Sequence, residues 1–173
     1  MQYVDVACRL MLLTVFAIAL WSKISGRDAW EEFVRSIRTM AVVRDALAVP
    51  AALATVAAEG GVIVLAAVPL RWAGWAAFVL AAGLLTCLTI AVVRVIRRGA
   101  AVACRCFGAS QTPMGVPHVV RNLILVAVAL LGLVGSVGPG HADLAMGVVV
   151  GIFGAVLGLL MARWDDLVSL VKG

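Results

Sequence analysis

Two cysteines, Cys104 and Cys106, lie one residue apart in a loop rich in turn-forming residues. A disulfide between them would close a very small ring, whose geometry departs from the preferred disulfide dihedral. Such strain makes a disulfide easy to reduce, which suits a catalytic or carrier dithiol better than a structural cross-link. The neighbouring Arg98 and Arg105 would favour the nucleophilic thiolate. The spacing therefore favours thiol–disulfide exchange, with binding of a thiophilic metal and cysteines of no chemical role as alternatives.

Glu59 is a second candidate, because it falls near the middle of a long apolar run that Glu59-Gly60-Gly61 interrupts. A carboxyl group in hydrocarbon is costly unless it faces a partner or a cavity. Two interpretations stay open. The carboxyl group could exchange the protons of two-electron thiol chemistry or bond a quinone carbonyl, or it could simply hydrogen-bond a neighbouring helix.

Three further side chains could take part in thiol or metal chemistry. Cys8 and Cys87 are expected at different membrane depths, beyond disulfide reach of each other. We expect Cys87 to be a small buried residue, with a resolving thiol as the alternative. His118 could join Cys104 and Cys106 around copper(I), zinc or mercury(II), but an interfacial polar residue is the favoured interpretation.

These residues are set in a chain made mainly of apolar runs. Hydrophobic residues make up 64% of the sequence and charged residues 13%, and the mean hydropathy is +1.13. A run of about 20 apolar residues spans a hydrocarbon core of roughly 30 Å. The sequence predicts one transmembrane domain over residues 1–173, surrounded by lipid, with five spans at about 4–24, 46–68, 72–95, 119–137 and 144–162.

A short amphipathic helix is expected between the first and second spans. Apolar residues recur there at helical spacing opposite charged ones, which is typical of a helix lying on the membrane surface. Lys23, at the end of the first span, is expected to extend to the interface as a snorkelling cation. Gly147, Gly151, Gly154 and Gly158 give two GxxxG spacings in the last span, which permit close helix approach. The predicted fold is an all-α polytopic membrane bundle with a four-helix core and a fifth transmembrane helix.

The basic residues predict an orientation in the plasma (inner) membrane. With the N-terminus outside, the loop containing Cys104 and Cys106 and the C-terminus are cytoplasmic. Only Arg9 and Arg71 are then outside, against twelve inside: Lys23, Arg27, Arg35, Arg38, Arg44, Arg94, Arg97, Arg98, Arg105, Arg121, Arg163 and Lys172.

Several function classes receive no support from the sequence. The basic residues do not interleave with aromatic ones or form one long patch, so a nucleic-acid partner is not expected. Nucleotide-binding glycine loops and hydrolase motifs are absent from the sequence. Charge within the spans is limited mainly to Glu59, which argues against a channel.

The run Cys104-Arg105-Cys106-Phe107-Gly108, followed by Arg121-Asn122 at the opening of an apolar helix, resembles the signature of the MauE family of methylamine-utilisation membrane proteins, which is related to the DoxX and DoxD group. Lys23 and Glu59 are also similar to what that wider group shows. The resemblance implies a helical bundle that makes or maintains disulfides with a thioredoxin-like partner. It gives Cys104 and Cys106 the exchange role and Arg121-Asn122 a supporting one.

The protein would then be a thiol–disulfide oxidoreductase or a subunit of one. A disulfide generator of the helical-bundle type also needs a second electron-carrying site and usually a quinone. Two alternatives stay open beside the redox interpretation. One is a carrier or transporter of a thiophilic metal or small thiol, and the other is a structural membrane subunit for a redox partner.

Overall fold

The computed structural model describes residues 2–99, 115–136 and 143–164. Five of its helices are long and apolar enough to cross a membrane, which confirms the predicted all-α class. Each begins and ends within three residues of the span predicted for it. The helices are α1 (Gln2–Ile24), α2 (Arg27–Met40), α3 (Ala48–Ala67, preceded by a 3-10 turn at Asp45–Leu47), α4 (Arg71–Arg97), α5 (Val116–Gly135) and α6 (Leu144–Ala162).

Four helices, α1, α3, α4 and α5, form a ring in which α1 packs on α3 and α5, and α4 packs on the same two helices. Neighbours in the ring are antiparallel. Arg9, near the start of α1, donates to Val68 O just after α3, and Arg71, at the start of α4, donates to Ser136 O just after α5. The inward faces are mainly apolar, and the core includes Leu12, Phe16, Val62, Phe78, Leu85 and Leu125.

The bundle therefore has two distinct ends. The Tyr3 end holds the starts of α1, α4 and α6 and the ends of α3 and α5. The Lys23 end holds the ends of α1 and α4 and the starts of α3 and α5. At the Lys23 end, Arg98 Nη1 donates to Ala41 O at 2.9 Å, which joins the end of α4 to the end of α2.

Helix α6 packs against α1, outside the ring. Its glycines allow the close approach, because a Cβ at Gly154 would overlap the Ala7 carbonyl oxygen, and one at Gly158 would lie 2.7 Å from Met11 O. Gly147 is open by comparison, with nothing within 4 Å of a Cβ placed there. The predicted glycine contact is therefore present, and it involves the later glycines of the helix.

Helix α2 is the amphipathic helix that the sequence predicts between the first two spans. Its buried side chains include Phe33 and Val34, which pack with Ala52 of α3. The helix ends at Ala41, whose backbone has a left-handed conformation with φ 47°. The apolar face of α2 thus covers the junction of α1 and α3.

Helix α3 runs without a break through Glu59-Gly60-Gly61. The helix of the predicted second span is therefore continuous across the residues that interrupt its apolar run. Helix-favouring alanines and aliphatic residues surround the two glycines, and the backbone hydrogen bonds of a helix in lipid have no competing water.

Candidate functional site

A buried ion pair joins α1 to α3 inside the bundle. The Lys23 ammonium donates to Glu59 Oε1 at 2.8 Å and to Glu59 Oε2 at 3.1 Å. A third bond goes to Ala19 O, one turn earlier on α1, at 3.0 Å. The side chains of Lys23 and Glu59 are only 1% and 0% exposed. Each charge thus has its partner within the protein.

This geometry shows what the Glu59 carboxyl group bonds, and its role in chemistry stays a prediction. Its carboxyl group does bond a neighbouring helix, and the partner is a cation. The expectation for Lys23 was wrong, because the side chain turns inward instead of extending to the interface. An uncompensated carboxylate nearby in the bundle is a stronger attraction than the solvent at the helix end, since charges interact strongly where water is excluded.

Helix α2 covers the ion pair from one side. The Lys23 ammonium lies 5.2 Å from the centre of the Phe33 ring, a distance at which a cation is attracted to an aromatic face. Phe33 in turn contacts Trp30, with ring centres 6.2 Å apart and planes tilted by 57°. The aromatic side of α2 therefore shields the pair from the surroundings.

A groove opens beside this aromatic cover, between the end of α1 and the start of α2. Its volume is about 420 Å³, and it is lined by Lys23, Ile24, Gly26, Arg27, Trp30 and Glu31. Lys23 thus belongs both to the ion pair and to the groove wall.

The first turns of α5 carry a second group of buried polar side chains. His118, Arg121 and Asn122 are 3%, 1% and 2% exposed, respectively. The predicted supporting residues Arg121 and Asn122 therefore face into the bundle. His118, in the first turn of α5, is buried with them, because position 118 shares a helix face with Asn122 and Leu125, at three- and four-residue spacing. Its expected place at the membrane interface stays a prediction.

The residues of the CxCFG motif, Cys104, Cys106, Phe107 and Gly108, lie outside the described residues. The structure does describe the two chain ends that the motif connects. Gly99 follows α4 and Gly115 precedes α5, and both are at the Lys23 end. The motif is therefore tethered at the end of the bundle that holds the start of α5 and the end of α1.

The two remaining cysteines are both free. Cys8 is buried in α1, whereas Cys87 is exposed on the outer surface of α4. The expectation that Cys87 is buried was therefore wrong. Leu85 and Val92 face the core from the same helix, which turns position 87 toward lipid.

One arrangement at the Tyr3 end was not predicted in full. The expected pairing of Arg9 with Asp5 is present, at 3.0 Å. Arg9 also donates to Val68 O at 2.9 Å and to Leu70 O at 3.2 Å. Its guanidinium thus bonds the Val68 carbonyl at the end of α3 and also the Leu70 carbonyl, which accepts the Gly74 N–H of α4 as well, at 3.1 Å. The sequence signal for this contact was Pro69. A proline stops a helix, so carbonyl groups just before it lack the N–H donors of a following turn.

The part of the chain that is described holds no further cluster of candidate metal ligands. Within residues 2–99, 115–136 and 143–164, no group of three or more His, Cys, Asp or Glu side chains is placed to hold a metal ion. His118 remains a candidate ligand only together with Cys104 and Cys106.

Comparison with known proteins gives one match. Curated proteins and solved structures that were compared with the chain show no match. The sequence model of the family described as methylamine utilisation protein MauE matches residues 1–135. That stretch contains the four-helix ring, the ion pair, the buried polar residues of α5 and the CxCFG motif, and it ends where α5 ends. This chain is therefore a multi-pass membrane protein that belongs to the MauE family.

Proposed function

We propose that the protein is a membrane thiol–disulfide redox protein, in which Cys104 and Cys106 exchange a disulfide with a thioredoxin-like partner. The observation that carries the proposal is the location of the buried polar side chains. The segment containing both cysteines is tethered at the Lys23 end, where Arg121 and Asn122 enter the bundle. A pair of cysteines whose disulfide would be strained and a polar bundle end thus occur together in the chain.

The exchange is balanced without any further reactant. One thiolate of the pair attacks a sulfur of the partner's disulfide, and a mixed disulfide forms as the partner's second sulfur leaves as a thiolate. The other cysteine then attacks the mixed disulfide. The pair becomes a disulfide and the partner becomes a dithiol, so two electrons move to the partner; the reverse sequence moves them back.

The start of α5 supports this chemistry electrostatically. A helix N-terminus carries the positive end of the helix dipole, and the Arg121 guanidinium adds a full positive charge close to it. Both favour a negative charge that approaches this end of the bundle. Thiolate is the reactive form of cysteine, so an attacking sulfur would benefit from this environment.

Thiol trapping in cells tests the proposal. Alkylation after acid quenching should reveal both reduced and oxidised forms of the pair in the native protein. Cys104→Ser and Cys106→Ser should each abolish disulfide transfer, and one of them should accumulate a mixed disulfide with the partner. Cys87→Ser is the matched control, because its thiol faces lipid, and it should transfer disulfides normally. A pair that never changes state, with transfer intact in Cys104→Ser, would refute the function.

A further inference from the structure

Exposed arginines gather at the Lys23 end, where helices α2 and α4 both end. They are Arg38, Arg44, Arg94, Arg97 and Arg98, and all five are exposed. We propose that this arginine cluster binds the phosphate head group of an anionic phospholipid. The inference is independent of the proposed thiol exchange, because it needs neither cysteine of the CxCFG motif.

A hydrogen bond brings the two helix ends together. Arg98 Nη1 donates to Ala41 O at 2.9 Å, although the two residues are 57 positions apart in the chain. Ala41 N in turn donates to Arg38 O, at 3.0 Å. Arg44 follows Ala41 by three residues, which span at most about 11 Å of extended chain. Arginines from two separate helices are therefore held at one place on the surface.

The arginines of α4 share one face of that helix with an apolar side chain. Arg97 and Arg98 follow Arg94 by three and four residues, the spacing at which side chains are neighbours on a helix. Ile90 lies on the same face one turn earlier and is 49% exposed. This face thus presents an apolar surface and then positive charge. A phospholipid presents its acyl chains and its phosphate in the same order.

The charge of the cluster is largely uncompensated. None of the five arginines forms an ion pair with an acidic residue in the part of the chain that the structure describes. Asp45 follows Arg44 directly, but the acidic residues of α2, Asp28, Glu31 and Glu32, lie in its first two turns. The C-terminal end of each helix adds only about half a negative charge. The cluster therefore keeps a net positive charge that a phosphate would neutralise.

The cluster lies at the depth where phospholipid head groups are found. Helix α4 is long and apolar enough to cross a membrane, and Arg94 and Arg97 are in its last turn. Trp21, in the last turn of α1 at the same end, is 70% exposed, and tryptophans are enriched at the level of the head groups. Basic side chains at this level attract anionic lipids. A lipid phosphate would thus meet the cluster within its own layer of the membrane.

Arginine also has the donor geometry that a phosphate needs. A guanidinium carries five N–H donors, so the bond from Arg98 to Ala41 O leaves most of its donors for a ligand. Two parallel N–H groups of a guanidinium can bind two oxygens of one phosphate. The bond to Ala41 restricts the motion of Arg98, which lowers the entropy that binding must remove.

Native mass spectrometry of the purified full-length protein can measure this binding. The protein, in detergent, is titrated with dioleoyl phosphatidylglycerol, and dioleoyl phosphatidylcholine serves as the zwitterionic lipid with the same chains. The first phosphatidylglycerol should bind at least about fivefold more tightly than the first phosphatidylcholine, since one arginine near an anionic lipid has roughly this effect. Similar affinity for the two lipids would overturn the proposal.

Charge-matched variants locate the site on the protein. Arg94→Gln/Arg97→Gln keeps the bond from Arg98 to Ala41 and should weaken phosphatidylglycerol binding at least about tenfold. Arg27→Gln/Arg35→Gln removes the same charge from exposed positions that each lie one turn from Glu31, and it should weaken binding less than about threefold. Equal losses in the two double variants would show a response to net charge alone and would overturn the site.

Two further measurements address folding and the source of the phosphate. Arg97→Gln alone, at an exposed position, should weaken binding about fivefold, which keeps the test valid if circular dichroism shows that the double variant has lost helix. The soluble compound glycerol 3-phosphate has no acyl chains to contact Ile90, so at equal concentration it should not displace phosphatidylglycerol. Displacement by glycerol 3-phosphate at equal concentration would overturn the assignment to a lipid.

Discussion

The ammonium of Lys23, in the last turn of α1, bonds both carboxylate oxygens of Glu59, at 2.8 and 3.1 Å, although the two residues are 36 positions apart in the chain. The whole of α2 lies between them in the sequence. It packs over the junction of α1 and α3 and places the Phe33 ring 5.2 Å from the ammonium. The pair therefore connects three helices at one point. Its loss should affect the packing of all three.

Removing one charge of the pair should destabilise the protein more than removing both. Lys23→Met leaves a buried carboxylate without its cation, and Glu59→Met leaves a buried ammonium without its anion. Breaking a buried pair in this way costs about 3–5 kcal/mol, whereas apolar replacement of both partners is often neutral or stabilising. The double variant Lys23→Met/Glu59→Met should thus unfold at a higher temperature than either single variant.

Thermal unfolding in detergent micelles measures this difference. Arg35→Met is the control, because Arg35 is exposed on α2 and its loss should change stability by about 0.5 kcal/mol or less. Additive effects of the two pair substitutions would contradict the coupling that the geometry implies.

Arg9 and Gly74 should show a similar coupling at the Tyr3 end. The Arg9 guanidinium occupies the space where a Cβ of Gly74 would lie, so Gly74→Ala must displace it from the carbonyls of Val68 and Leu70. Arg9→Ala should cost about 1–3 kcal/mol, because the Val68 carbonyl loses the donor that Arg9 provides. In the Arg9→Ala background, Gly74→Ala should add little further loss.

A double-mutant cycle of unfolding free energies checks this prediction. The two single variants and the double variant should give an interaction energy of about 0.5–3 kcal/mol, the usual range for residues in contact. Gly83→Ala serves as the control for a glycine-to-alanine change in the same helix, since a Cβ at Gly83 meets nothing within 4 Å. An interaction energy of zero would mean that Arg9 does not occupy this position in solution.

How much of the fold and of the candidate site the sequence could predict depends on the kind of contact. The spans follow from apolar run length, because lipid imposes that length directly, and the glycine contact of α6 follows from spacing within one helix. The inward turn of Lys23 could not be read in the same way. A lysine at a helix end has the same local pattern whether it extends to the interface or turns inward, and only the position of Glu59 on another helix decides between them. Cys87 was misjudged for a related reason, since an apolar run in lipid has no polar face to show which side is buried.

The close contact of α6 with α1 should depend on which glycine is replaced. Gly154→Leu must push the helices apart, because a Cβ there overlaps the Ala7 carbonyl oxygen; overpacking of this kind costs about 1–3 kcal/mol. Gly147→Leu should be tolerated, since its Cβ meets nothing within 4 Å. Thermal unfolding of the two variants in the same detergent compares them directly. Equal stability would show that α6 does not pack on α1 through Gly154.

The orientation predicted from the basic residues can be tested with the cysteines themselves. The described loop and helix-end arginines of the Lys23 end, Arg27, Arg35, Arg38, Arg44, Arg94, Arg97 and Arg98, are exposed, and an excess of such residues favours the cytoplasmic side. Cys104 and Cys106 connect to this end, so a membrane-impermeant maleimide should not label them in intact cells after reduction. It should label them once the membrane is permeabilised.

Leu70→Cys provides the opposite control, because Leu70 is exposed in the turn at the Tyr3 end and should be labelled in intact cells. Labelling of Cys104 and Cys106 together with protection of Leu70→Cys would reverse the orientation and place the dithiol outside, where it would meet extracytoplasmic partners directly.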